Sequence, residues 1–321
     1  MLNSETIIVS PSCKKLTLEN YVVGYKKEGE SIVVLFKQDN DIFFSIVIDS
    51  YEKNENETIK ILNENGVKCI DYLIWTHPHK DHSIGIKGIL NSYCNKNSKV
   101  IFPNIDQTII KDVPENCRED YDFFSKININ GRNKNGEIIY GEFNTTIKKY
   151  NLLWKGDNIN LEICCLTPNS KVLANNKFTT NTNINDFSVS IVIMFNGNVF
   201  VYGADMEDKS IVSLLNDKVI LDNVAFIKAP HHGSHSTKKI FDLVNINENT
   251  VCAITNYQNG DIILPEQDIL EEYNEQSNEI YLFNKNDELE CGVLKSNFSM
   301  EDVNEIFYEN MTYGLAYHFG E

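Results

Sequence analysis

Three histidines and an aspartate are packed into Thr76-His77-Pro78-His79-Lys80-Asp81-His82-Ser83-Ile84-Gly85. Neutral imidazole and carboxylate are the ligands that Zn²⁺ and similar borderline cations take. In an extended segment His77 and His79 point the same way, because side chains alternate with period two. A turn after them can aim Asp81 and His82 at a neighbouring point. The spacing therefore suits two adjacent metal positions, one fed by His77 and His79, the other by Asp81 and His82. The whole chain holds only 7 His, so this concentration is hard to assign to a surface loop that carries histidine by chance.

The elements around this stretch must hold it still. Tyr72-Leu73-Ile74-Trp75 is an apolar run that reads as a buried strand, and Ile86-Lys87-Gly88-Ile89-Leu90 continues as an amphipathic helix, so the ligands sit at a strand-to-helix turn. Upstream, residues 6–9, 21–25, 31–36 and 42–49 are rich in β-branched and aromatic side chains, separated by polar breaks, and predict an antiparallel meander. Residues 55–66 predict a polar-faced helix ending near Gly66. Residues 104–160 are Asn-rich and punctuated by Gly131, Gly136, Gly141 and Gly156. They predict a short helix near 121–124 and strands near 137–140 and 145–150, in an insertion that shapes a binding site. A strand at 161–167 and a polar loop at 169–185 lead to an apolar run at 185–195. The Asn196-Gly197-Asn198 turn then makes a hairpin with 199–205, which delivers Asp205 to a strand end. Asp205 could instead cap a helix beginning at Glu207. A third strand end carries Lys228-Ala229-Pro230-His231-His232-Gly233-Ser234-His235. Beyond it come a strand at 251–255, a helix over 266–273 after Pro265, a closing hairpin of 280–283 with 290–294, and an acidic, aromatic-bearing tail at 299–321. One domain over 1–298 followed by this tail is the expected organisation.

The His-x-His-x-Asp-His stretch after a buried strand resembles the signature of the metallo-β-lactamase superfamily of metallohydrolases. The resemblance implies an α/β fold, a four-layer αβ/βα sandwich of two mixed sheets with the metal site at one edge. It implies that His77, His79, Asp81 and His82 are ligands, that Asp205 bridges two metals, and that His232, directly before the Gly, completes the second site. His231 is then a candidate proton carrier or phosphate contact, and Ser234 and His235 are candidate substrate contacts. The family places an Asp-x-Gly after one early strand. Here the sequence reads Ile48-Asp49-Ser50-Tyr51, so the Gly is absent; Asp49 either buttresses the His loop or is a capping or solvated residue. Gly29-Glu30-Ser31-Ile32, Asn185-Asp186-Phe187-Ser188, Gly203-Ala204-Asp205 and Lys228 to Ser234 are most similar to the hydrolase domain of the bacterial DNA-uptake competence protein and its stand-alone relatives. The match spans roughly residues 20 to 297, interrupted by the 104–160 insertion.

One departure matters. No histidine lies between His82 and His231, so the His that usually completes the first site is missing. Asp186, with Ser188 beside it, could replace that ligand. A carboxylate and water there would open the site to a harder ion such as Mn²⁺. This favours phosphoester chemistry over β-lactam or thioester hydrolysis. The expected function is metal-dependent hydrolysis, with one or two Zn²⁺ or Mn²⁺ ions as cofactors. Its expected substrate is a phosphodiester of nucleic acid or nucleotide, with Asp81 and His231 catalytic. A hydrolase of a phosphocholine-type ester, a lactone or an acyl compound is the alternative, and a metal-poor binding or signalling module that retains the fold is a second.

Composition sets the outer limits. The 321 residues suffice for a sizeable core. Net charge is −17, which disfavours gripping a long duplex along a broad basic face and favours a short or single-stranded substrate. No apolar run approaches the roughly 20 residues that cross a bilayer, and the N-terminus reads as no signal peptide. The 8 Cys are scattered, with no Cys-x-x-Cys, and suit a reducing cytoplasm as free thiols. The Asn-, Lys- and Ile-heavy composition suits an AT-rich bacterial genome.

Overall fold

The computed structural model describes residues 4–105, 109–129, 136–176, 182–285 and 288–320. In chain order the elements begin with β1 (Glu5–Ile8), β2 (Leu16–Tyr25), β3 (Glu30–Gln38), β4 (Asp41–Ile48), α1 (Glu57–Glu64) and β5 (Tyr72–Ile74). Next come α2 (Lys80–Ser83), α3 (Ile86–Tyr93), β6 (Lys99–Pro103), α4 (Glu115–Ile129), β7 (Glu137–Gly141), β8 (Thr146–Trp154), β9 (Asp157–Cys165) and α5 (Ser170–Asn176). The second half holds β10 (Ile191–Phe195), β11 (Asn198–Tyr202), α6 (Asp208–Asn216), β12 (Val224–Lys228), α7 (Ile240–Leu243), β13 (Val251–Ile254), β14 (Tyr257–Asn259) and β15 (Ile262–Leu264). It ends with α8 (Gln267–Gln276), β16 (Glu279–Leu282), β17 (Cys291–Asp302), β18 (Glu305–Gly314) and β19 (Tyr317–His318).

Two large mixed sheets result. One has the order β18-β17-β2-β3-β4-β5-β6-β7, the other β1-β8-β9-β10-β11-β12-β13-β16-β19. The central strands are apolar on both faces because both faces are covered. In β3, Ile32, Val34 and Phe36 enter the layer between the sheets, together with Phe44, Phe195, Phe200, Phe226 and Phe298. The alternate residues Val33 and Leu35 pack outward under α1, α3 and α4. On the second sheet Val201 and Ile227 face outward under α6, α7 and α8. This is the four-layer αβ/βα sandwich that the sequence implied. No described helix is long and apolar enough to cross a membrane, and all eight cysteines are free thiols.

Local chemistry sets the elements. Asn56 caps α1, its side chain accepting from Ile59 N at 3.2 Å, and Gly66 follows the helix at φ 69°. Asn196 and Gly197, at φ 49° and 80°, make the tight β10–β11 turn. Several expected elements differ. Residues 184–187 form a 3₁₀ turn, and the strand begins only at Ile191. The polar side chains of Asn185, Asp186 and Ser188 make specific bonds there instead of joining a ladder. The loop expected at 169–185 contains α5, with 177–181 outside the described residues. Gly131 is likewise outside them.

The stretch 104–160 supplies sheet strands: β7 pairs parallel with β6, and β8 pairs with β9. The segments 280–283 and 290–294 are not a hairpin. β16 pairs with β13 and β19 in one sheet, and β17 pairs with β2 and β18 in the other. Residues 299–321, expected as a tail, finish β17 and supply β18 and β19. Alternation hid this, because β18 is an edge strand, exposed along most of its length.

Candidate metal centre

Four strands deliver the site, each from its C-terminal end, where parallel sheets present their loops. β5 leads into the His77–His82 stretch, β11 into Asp205, β12 into His231 and His232, and β13 into Thr255. The turns are demanding. Ala204, His231 and His232 have φ of 45°, 44° and 54°, and Asp49 has 57°. Left-handed backbone at non-glycine residues costs about 1–3 kcal/mol each and persists where neighbours over-determine it. Here the neighbours are explicit: His231 N donates to Ala204 O at 2.7 Å. A Cβ on Gly203 would lie 2.8 Å from Pro230, so only glycine lets the two loops touch.

The ligand groups converge as two clusters with a shared member. Asp81, His82, Asp205 and His232 form one, and His77, His79 and Asp205 the other, the ligand atoms of each within 4.8 Å of one another. Asp205 faces both: its Oδ1 is 3.2 Å from His82 Nε2 and its Oδ2 is 3.4 Å from His77 Nε2. It is not a helix cap, since α6 is capped at Glu207. Its backbone N–H donates to Ser188 Oγ at 3.0 Å, which is what Ser188 does.

The tautomers follow from the partners. Thr76 Oγ1 donates to Asp49 Oδ2 at 2.7 Å and so accepts from His77 Nδ1 at 3.0 Å. His82 Nδ1 donates to Asp49 Oδ2 at 2.7 Å. His232 Nδ1 donates to Thr255 Oγ1 at 2.9 Å. All three rings therefore turn Nε2 inward, as metal-binding histidines held by an outer partner do. Asp49 also accepts from Thr76 N at 2.8 Å, so its buttressing role is a fact of the geometry.

A divalent cation fits this donor set. His82 Nε2 and Asp205 Oδ1 are buried and, though 3.2 Å apart, make no aligned hydrogen bond, an expensive arrangement unless a further group satisfies them. Burial and the neighbouring His77 push His79 down to about 4, leaving it neutral and able to coordinate. Burial pulls His82 down, but Asp205, Asp81 and Asp49 outweigh it and hold the ring well above its ordinary range. The same electrostatics hold Asp205 well below the usual carboxylate range despite its burial. The carboxylates thus attract positive charge to one point.

Other expected residues fall elsewhere. Asp186 does not complete the first cluster: its carboxylate is taken by Lys209 Nζ at 2.5 Å. Among the described residues the cluster with His77 and His79 therefore offers three ligand groups and the cluster with His82 and His232 four. His235 is exposed and bonds Asp268 at 2.8 Å, away from both clusters. Ser234 lines the cavity in front of the centre, together with His79, Asp81, His231 and His232. His231 is half-buried, with Nδ1 3.1 Å from Glu207 Oε1 and Nε2 3.8 Å from Asp205 Oδ2.

Sequence reasoning placed Glu30 and Lys228 in two motifs but gave them no role, and did not single out Glu207. Glu30 is buried and joins Lys228 Nζ at 2.8 Å, His232 Nδ1 at 3.3 Å and Thr255 Oγ1. Glu207 is held by Asn185 Nδ2 at 2.9 Å and Asn183 Nδ2 at 2.7 Å. The signal for the first pair was an acid that opens one apolar strand run and a lysine that closes another.

No family model and no curated protein matches the chain. Solved structures do, among them a diphosphatase from the PhnP family, 13% identical, covering 74% of this chain and 86% of that one at a TM-score of 0.38. At that TM-score the likeness carries no weight for the reaction.

Proposed function

We propose that this chain is a metal-dependent phosphodiesterase of the metallo-β-lactamase type, acting on short or single-stranded nucleic acid or on nucleotides. The observation that carries this is Asp205, whose two oxygens each face a different ligand cluster. A pair of Zn²⁺ or Mn²⁺ ions there would be held by His77, His79 and Asp205 on one side and by Asp81, His82, Asp205 and His232 on the other. Such ions supply Lewis-acid charge for phosphate oxygens and lower the pKa of water from about 15.7 towards 7.

The chain's own groups do the rest. Asp81 Oδ2, 3.3 Å from His82 Nε2 and 3.2 Å from His232 Nε2, lies at the cavity wall and orients the attacking water by accepting its proton. His231 stands on the opposite side of Asp205. Burial lowers its affinity for a proton and Asp205 and Glu207 raise it; with Nδ1 against Glu207, Nε2 is the atom that would give a proton to the leaving oxygen. The cavity in front is about 550 Å³, roomy enough for a nucleotide-sized group. The charge of −17 favours a substrate whose phosphates meet the protein at the metals rather than along its surface.

The test is a substrate panel with Zn²⁺ and with Mn²⁺, wild type beside His79→Ala. Hydrolysis of single-stranded DNA, RNA or a cyclic nucleotide, lost by about 100-fold or more in the variant, is the expected result. If all of these survive while a phosphocholine-type ester, lactone or acyl compound is cleaved, the substrate class is wrong. Metal content below roughly 0.2 per chain after metal-replete purification would support a metal-poor binding module instead.

A further inference from the structure

The cavity in front of the metal centre has a second branch. A hollow of about 310 Å³ is lined by Lys27, Glu28, Tyr51, Lys80, Asp81 and Tyr257. Lys80, Asp81, Tyr257 and Asn259 line the main cavity as well, so the two spaces meet at a metal ligand. Tyr257 is the shared wall: its ring stacks on His232, centroids 5.2 Å apart and planes at 24°.

The far wall is fixed to the centre. Gln258 N donates to Lys27 O at 2.9 Å, which stitches β14 to the β2–β3 turn. A Cβ on Gly29 would lie 2.1 Å from the Tyr51 ring and 2.5 Å from Asp81 O, so that turn can seat against the metal loop only with glycine there. Lys27 itself, in the tight β2–β3 turn, is at φ 60°.

The charges in this branch are unusual for the molecule. Acidic residues outnumber basic ones 46 to 29, and many lysines find a carboxylate, as Lys37, Lys53, Lys60, Lys87 and Lys99 do. Neither Lys27 nor Lys80 has an ion-pair or side-chain hydrogen-bond partner among the described residues. The one non-ligand acid in the hollow, Glu28, accepts a hydrogen bond from the Tyr51 hydroxyl, so the lysines share the space with one carboxylate besides Asp81. Two exposed lysines without a carboxylate partner thus line a space that opens from Asp81.

We propose that this branch is a second anion subsite, in which Lys27 and Lys80 hold a phosphate next to the one being cleaved. The proposal rests on the phosphodiesterase reading and narrows it. The substrate class becomes a phosphodiester that carries a neighbouring phosphate, that is, a short single strand or a dinucleotide with a terminal phosphate, in preference to a lone diester.

Three thymidine dinucleotides test it: one with no terminal phosphate, one with a 5′ phosphate and one with a 3′ phosphate. The expected result is that one phosphorylated form exceeds the plain dinucleotide in kcat/KM by about tenfold, the scale of a charge-assisted contact. Lys27→Gln and Lys80→Gln should each reduce that ratio by about threefold, the double variant should bring it near one, and Lys80→Arg should keep it. Equal kcat/KM for the three substrates, or a double variant that keeps the full ratio, overturns the subsite and leaves the phosphodiesterase reading standing. Cleavage of none of the three while RNA or a cyclic nucleotide is hydrolysed overturns the subsite alone; cleavage of no nucleic acid or nucleotide at all overturns both.

Discussion

The two halves of the metal centre are braced in different ways. Behind His82 stands Asp49, which accepts from Thr76 N, Thr76 Oγ1 and the His82 ring. These partners belong to the ligand loop itself, so Asp49 fixes one loop from behind. Behind His232 stands Glu30, which comes from the other sheet and meets the buried Lys228, Thr255 and the His232 ring. Glu30 therefore joins β3 of one sheet to β12 and the end of β13 of the other. One brace is a local hydrogen-bond cradle; the other is a buried ion pair that ties the sheets together where the metals would sit. The lesson is that a metal site built across two layers needs its distance fixed as well as its loops shaped, and separate residues do each task.

The difference can be broken by mutation. The largest effect belongs to the ligand common to both halves. Asp205→Ala should lose both metals and lower activity by roughly 10³-fold or more, whereas His79→Ala touches only one cluster and should retain about one metal per chain. Elemental analysis beside the nuclease assay checks this, and equal metal loss in the two variants would deny Asp205 its shared role.

Next come the braces. Glu30→Ala leaves Lys228 charged and buried without its partner, a cost of about 3–5 kcal/mol. Asp49→Ala leaves the two Thr76 donors unpaired and the His82 ring with Asp81 and Asp205 still beside it, about 1–3 kcal/mol. Urea midpoints at unchanged slope measure both. If Glu30→Ala proves no less stable than Asp49→Ala, the two braces are not different in kind. The milder Glu30→Gln and Asp49→Asn should each weaken metal affinity about 10–100-fold.

A smaller effect is expected with pH. Without metal, His82 holds a proton because its ordinary value is raised by three carboxylates. That proton must leave before Nε2 can coordinate. Metal affinity should therefore rise with pH until the raised value is passed, and binding at neutral pH should release about one proton. His79, down at about 4, adds nothing to this slope in the neutral range. Calorimetry in buffers of different ionisation enthalpy counts the protons; zero release would mean His82 is neutral already. Smallest of all, Asp186→Asn should change metal content by less than about twofold, since that carboxylate serves Lys209.

Much of the centre was legible because ligands must be particular residue types at strand ends. His77, His79, Asp81, His82, Asp205 and His232 could be found by chemistry and spacing, and the structure brings them together. Asp186 looked equally suitable, and nothing in sequence spacing reveals that Lys209, a turn into α6, reaches it first. The role of Glu30 and Lys228 was hidden because they are far apart in the chain and meet only when the sheets stack. The apolar strands of the core were visible for the same reason that β18 was not: buried strands show continuous hydrophobicity, whereas an edge strand such as Glu305–Gly314 alternates among polar, acidic and aromatic residues. The split of β16 and β17 between sheets was also out of reach, since two adjacent strand signals look alike whether they pair or part.

Trp75 follows β5 two residues before the first ligand, fully buried against Phe102, Tyr121 and Phe124. Its indole N–H donates to Ser83 Oγ at 3.1 Å, and that hydroxyl donates to His79 O at 2.5 Å. The loop is thus wired to a fluorophore. The other tryptophan, Trp154, donates to Cys13 O at 3.1 Å at the end of β8, so replacing it with phenylalanine leaves a single emitter. The emission of that emitter would follow ordering of the histidine loop in real time, without a dye and without a substrate.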